Sequence, residues 1–146
     1  MGMTRSGGIA QHNAGTIVII TNTDDYFDIN GYTDSFDENG TFVFQNGNEL
    51  KCVKEGRYIY NIHNTVSCDV ANQELYIALI HVRGATETVQ NFGDAHLYCG
   101  GANKPYPASS GYSIYLLADD IIKMGVRNVN GNNDVTFIHS SITLIL

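Results

Sequence analysis

Residues 56–66 read Gly56-Arg57-Tyr58-Ile59-Tyr60-Asn61-Ile62-His63-Asn64-Thr65-Val66. Tyr58, Tyr60, Ile62 and Val66 alternate with Asn61, His63 and Thr65. A period of two puts the apolar set on one face of an extended strand and the polar set on the other. The same alternation recurs downstream, where Tyr112, Ile114 and Leu116 oppose Ser113, Tyr115 and Leu117. Upstream, Thr16–Thr21 is a β-branched block, and Thr41-Phe42-Val43-Phe44 ends at an Asn-Gly turn. Four Asn-Gly pairs, Asn30-Gly31, Asn39-Gly40, Asn46-Gly47 and Asn130-Gly131, supply the positive φ that tight hairpins need. Short apolar runs separated by such turns predict an all-β, antiparallel two-sheet sandwich.

Two segments read both ways. In Asn72–Val82, residues Leu75, Ala78, Leu79 and Val82 fit a helical stripe capped by Asn72; Asp119 similarly heads Ile121, Ile122 and Met124. The density of β-branched and aromatic residues decides for strands in both. The first then carries Leu75, Ile77 and Leu79 against Tyr76, Ala78, Ile80 and Val82. The closing run carries Ile138, Ile142, Leu144 and Leu146 against Val135, Phe137 and Ile145. Strands apolar on both faces need cover beyond one small sandwich, which predicts oligomerisation.

The 146 residues are enough for one domain with its own core, read as a flexible tail over 1–15 and a folded domain over 16–146. Hydrophobic residues make up 43%, so general disorder is excluded; charged residues are only 16%, and the net charge is −7. That balance opposes nucleic-acid binding, which needs clustered Lys and Arg. No apolar run reaches the roughly 20 residues of a membrane span. The first eight residues lack an apolar signal segment, predicting no signal peptide. Gly2 with Ser6 fits the loose myristoylation pattern, but no polybasic patch follows it, and a tail is the preferred reading. Cys52, Cys68 and Cys99 are odd in number and widely spaced, which argues for buried thiols in a reducing compartment rather than a disulfide framework or zinc site. His96 and Cys99 alone do not make a metal site.

Gly56-Arg57-Tyr58-Ile59-Tyr60, the run Leu75–Ile80, the stretch Ser113–Ile122 and the closing Thr136–Leu146 together resemble the tumour necrosis factor and complement globular-head superfamily. Asp119 stands where that pattern has the Gly of a Gly-Asp turn, and His139 where its closing strand has a Gly. The resemblance implies a jelly roll that assembles as a compact homotrimer. Members serve as cytokines, as recognition heads on stalks, and as heads of spore and bacteriophage fibres. A surface rich in Asn, Gly, Thr and Tyr, with no collagen-like stalk, favours a virion or spore-surface module made in a cytoplasm. Its partners would be other surface proteins and a host receptor or glycan. A soluble cytokine-like ligand is the alternative, and a small carbohydrate-active enzyme a further one.

No catalytic residue and no cofactor site is expected, because no motif converges a nucleophile, a base and an orienting carboxylate. Asp24, Asp25, Asp28 and Asp34 are calcium candidates within an acidic stretch running to Glu38, against the preferred reading of a solvated loop. Tyr98, Asn103, Tyr106 and Tyr112 are candidates for a recognition loop, since Tyr gives contact area at little entropic cost. Tyr76, Tyr115, His139 and Ile142 are candidates for the trimer interface. Three copies of His139 near a threefold axis would respond to pH or bind an ion.

Overall fold

The computed structural model describes residues 5–37 and 40–146. Gly2 with its myristoylation pattern, Glu38, and Asn39 of the Asn39-Gly40 pair lie outside them. The strands in chain order are β1 (Arg5–Val18), β2 (Phe27–Asp28), β3 (Asp34–Asp37), β4 (Phe42–Gln45), β5 (Glu49–Cys52) and β6 (Gly56–Cys68). They continue with β7 (Gln73–Arg83), β8 (Thr86–Val89), β9 (Ala95–Cys99), β10 (Tyr106–Leu116), β11 (Ile121–Asn128) and β12 (Val135–Ile145). A 3-10 turn, Asn91–Gly93, lies between β8 and β9. No helix among the described residues is long and apolar enough to cross a membrane.

Two antiparallel sheets face each other. One runs β10-β6-β12-β1-β3; the other runs β4-β5-β11-β7-β8, with β2 also on β11 and β9 also on β7. This is the expected two-sheet sandwich, and both ambiguous segments are strands. β-branched packing against a facing sheet outweighs the helical stripe there. The inward residues of β6, Tyr58, Tyr60, Ile62 and Val66, meet Leu75, Ile77 and Leu79 of β7 and Ile122, Met124 and Val126 of β11 in one core. Each fully buried side chain of this size contributes roughly 1.5–3 kcal/mol relative to exposure.

The tail expected over 1–15 is replaced from Arg5 onward by β1, which pairs with β12 and β3. Its small residues and glycines do not read as a strand, but they let the neighbouring strands approach closely. Gly8 lies beneath the Phe36 ring, where an added Cβ would come within 2.5 Å of both that ring and the Ile142 carbonyl.

The closing strand corrects a second reading. A register shift between Phe137 and His139 inserts an extra residue. Parity inverts across it, so Val135 and Phe137 share the core face with Ser140, Ile142 and Leu144. The outward face beyond the bulge is His139, Ser141, Thr143 and Ile145. It is largely polar, not the second apolar face inferred from strict alternation. On β7 the second apolar face is real but already covered. Ala78 and Ile80 are buried, with Val89 of β8 opposite Ile80 and Tyr26 approaching over Gly125. On β12 the inferred surplus is therefore absent, and on β7 Ala78 and Ile80 are covered within the chain.

Candidate recognition surfaces

At one end of the sandwich the β6–β7 turn meets the β9–β10 loop. Asn72 takes the left-handed conformation (φ 60°) that turns the chain from β6 into β7, and its Oδ1 accepts a hydrogen bond from the Tyr98 hydroxyl at 2.7 Å. Asn103, also left-handed (φ 57°), donates its N–H to the Cys68 carbonyl at 2.7 Å. The Tyr106 hydroxyl accepts the Gly101 N–H at 2.7 Å. Tyr98, Asn103 and Tyr106 thus share one hydrogen-bonded end, with Tyr98 the most open ring of the set.

Tyr112 is not part of that end. It pairs with Tyr60, six positions along β10 from Tyr106, and stacks on Phe92 with ring centroids 6.0 Å apart. Phe92 is 88% exposed. Beneath the pair sits the Tyr60 hydroxyl, buried and without a hydrogen-bond partner among the described residues. Burial first, then the Asp94 charge, push its pKa up to about 12. Gly93 passes so close that an added Cβ would lie 2.1 Å from that hydroxyl. Phe92 was missed by the strand patterning because it stands in a polar turn. An isolated Phe amid Gln90, Asn91, Gly93 and Asp94 is the signal that would have found it.

The outward face of the five-stranded sheet is the second surface. Outward positions of β6, β10 and β12 include the small or polar Asn61, Gly111, Ser113, Ser141 and Thr143 beside Ile59, Tyr115 and Ile145; apart from histidines, Arg57 is their one charged side chain. A shallow groove of ≈ 320 Å³ crosses it, lined by residues including His63, Ser109 and His139. The His63 ring bonds to Ser109 Oγ at 3.1 Å. Under the groove, the bulge buries a polar row: Ser140 Oγ donates to Asn64 Oδ1 (2.8 Å) and contacts the Tyr32 hydroxyl (2.7 Å).

The four interface candidates do not share one surface. Tyr115 and His139 lie outward on the five-stranded sheet, Tyr115 donating to Glu55 at 2.8 Å beside Arg57. Tyr76 lies on the opposite sheet, stacked on His96 at 4.4 Å. Ile142 is in the core with no exposure, because the bulge turns it inward.

The calcium candidates are divided as well. Asn22 Oδ1 accepts the N–H groups of Asp24 and Asp25 at 2.9 Å, so this segment closes on itself. Asp28, on β2 of one sheet, accepts from Lys123 Nζ at 3.0 Å, while Asp34 lies on β3 of the other. Among the described residues no three His, Cys, Asp or Glu side chains converge to hold a metal. His96 and Cys99 lie on opposite faces of β9, since His96 is exposed toward Glu74 and Cys99 is buried.

Two buried charges are structural anchors. Lys123 is taken by Asp28 and by Glu87 at 2.8 Å; burial alone would lower its pKa, and these carboxylates raise it. Asp120, at the β10–β11 turn, accepts bonds from His81 (2.8 Å), Arg83 (2.7 Å) and the Leu117 N–H (2.9 Å). Burial would raise its pKa, but these donors hold it well below the usual carboxylate range. With both oxygens engaged in a turn, Asp120 orients strands rather than a nucleophile.

No protein-family model matches the sequence, and no curated protein matches it. Solved structures do. The Eiger tumour necrosis factor of S. frugiperda superposes with a TM-score of 0.64 at 14% identity, covering 97% of this chain and 91% of that one. The globular domain of zebrafish complement 1qA gives 0.61 at 14%, covering 97% and 96%. Murine APRIL gives 0.56 at 12%, covering 95% and 99%. At these identities the likeness is one of fold, and over nearly its whole length the chain has the jelly-roll fold shared by the tumour necrosis factor and complement globular-head structures.

Proposed function

We propose that this protein is a non-catalytic recognition head that works as a homotrimer. The observation that carries the reading is the outward face of the five-stranded sheet. Each chain has a net charge of −7, so copies that associate must meet where charge is scarce. The face of β6, β10 and β12 meets that requirement, with Arg57 its one charged side chain apart from histidines. The fold shared with tumour necrosis factor and complement heads supports the same arrangement. Sedimentation at micromolar concentration tests it. Three chains of 16.0 kDa give about 48 kDa, and a stable monomer would overturn the proposal.

The finer reading places the trimer on a virion or spore surface, contacting a host receptor through Phe92, Tyr98 and Tyr112. Its support is the charge-poor composition and the exposure of these rings, which suits recognition. Antibody labelling of intact particles tests the placement. Labelled particles support it; chain found only in the soluble fraction favours instead the cytokine-like ligand that the Eiger and APRIL likenesses equally suit.

A further inference from the structure

We propose that the cleft beside the β7–β8 hairpin binds a small hydroxylated carboxylate, a sugar acid, through His81, Arg83, Thr86 and Thr88. Gly84 (φ 61°) opens a two-residue turn that fixes the register of the hairpin. His81 then stands opposite Thr88, and Arg83 opposite Thr86. Spacing by two puts these four side chains on one face of the ribbon. Glu87 leaves on the other face and meets Lys123. Further along β7 the same face carries Leu75, Ile77 and Leu79 into the core. At its open end the four polar side chains line a cavity of ≈ 480 Å³. Small-molecule sites occupy roughly 300–1,000 Å³.

The chemistry of the lining selects the ligand. None of the four lining residues is acidic. The nearby carboxylate, Asp120, is buried, and its oxygens are already taken. Arg83 donates to them through Nε at 3.0 Å and Nη2 at 2.7 Å, and His81 through Nε2 at 2.8 Å. Asp120 thus holds one edge of the Arg83 fork, while Nη1 and the second Nη2 hydrogen remain. The Arg83 side chain is about half exposed. Its remaining edge matches the two oxygens of a planar carboxylate. His81 keeps its Nδ1. The Thr86 and Thr88 hydroxyls make no hydrogen bond among the described residues. A hydroxyl both donates and accepts, which suits the ring hydroxyls of a sugar.

Charge limits the ligand. Arg83 and Asp120 offset each other, and the whole chain carries −7. A single carboxylate is held by the local fork, whereas a multiply charged anion meets the repulsion of the whole chain. Every lining residue belongs to one chain, and none is an aromatic ring assigned to a receptor. The site therefore stands apart from the trimer and from that contact.

Titrating the isotope-labelled full chain with sodium glucuronate tests this, with glucose and inorganic phosphate as comparisons. Glucuronate should shift the amide resonances of residues 81–88, with a Kd on the order of 1 mM. Glucose at the same concentration should leave them in place. Arg83→Lys keeps the charge and loses the fork, and should weaken binding about tenfold. Thr86→Val combined with Thr88→Val keeps the β-branched shape at exposed positions. It should weaken binding by a similar factor while the melting temperature stays close to that of wild type. Methyl glucuronide separates two sources of the same chemistry. Binding equal to the free acid supports the terminal sugar of a glycan; binding of the free acid alone supports a soluble sugar acid. No shift with glucuronate, an equal response to glucose, or tighter binding of phosphate would overturn the proposal. So would wild-type affinity in Arg83→Lys or in the double threonine variant.

Discussion

Asp119 and Asp120 show how two adjacent identical residues do opposite work. Asp119 takes the left-handed conformation (φ 73°) where the resembling pattern has glycine, so the substitution keeps the turn at a cost in backbone strain. Its ion pair with Lys51, 3.6 Å long and exposed, returns little. Asp119→Gly should therefore leave stability unchanged or raise it by roughly 0.5–1 kcal/mol, and Asp119→Val should lower it, as read from urea midpoints. Asp120 contributes through its charge. Its folded-state pKa lies below the unfolded value, so its contribution is fully present above the unfolded carboxylate range near 4 and is lost as pH falls through the folded value. Asp120→Asn should cost about 1–3 kcal/mol at neutral pH. The gap between variant and wild type should narrow on acidification; a gap independent of pH would contradict the assignment.

At the scale of the element, β6 and β12 explain what the sequence disclosed. β6 alternates without interruption, so its core face was legible residue by residue. β12 contains one extra residue between Phe137 and His139, and nothing in composition marks a one-residue bulge. Counting by two across it sent Ile142 to the wrong face and created a surplus apolar surface that does not exist there. The candidate loop residues divide in the same way. Tyr98, Asn103 and Tyr106 are close in sequence and lie at one hydrogen-bonded end. The Phe92–Tyr112 pair depends on a turn folding back against β10, which local pattern does not reveal. That turn gives a direct check. Gly93→Ala would drive a methyl into the Tyr60 hydroxyl and Tyr112, and should cost about 1–3 kcal/mol. Phe92→Ser, at an exposed ring, should stay within about 0.5 kcal/mol of wild type in thermal melts while weakening partner capture.

For the whole molecule, the proposed trimer raises the question of which face would meet another copy. The argument from surplus apolar strands fails in this fold, yet the expectation of assembly gains different support from scarcity of charge. In the proposed trimer three chains would together carry −21, and the outward face of β6, β10 and β12, where apart from histidines only Arg57 is charged, would let them meet without opposing that field. The core and the interface make separable demands on neighbouring residues of one strand. Ile142 points inward and is fully buried, so Ile142→Asp should abolish folding whether or not the protein assembles. Thr143 points outward, between Asn61 of β6 and Gly8 of β1. Thr143→Glu would place one carboxylate per chain on the shared face, where like charges brought together cost several kcal/mol. Its sedimentation should fall from about 48 kDa toward 16.0 kDa while the far-ultraviolet circular dichroism stays that of a β-sandwich. A Thr143→Glu protein that remains trimeric would move the interface to the other sheet, where Tyr76 stacks on His96.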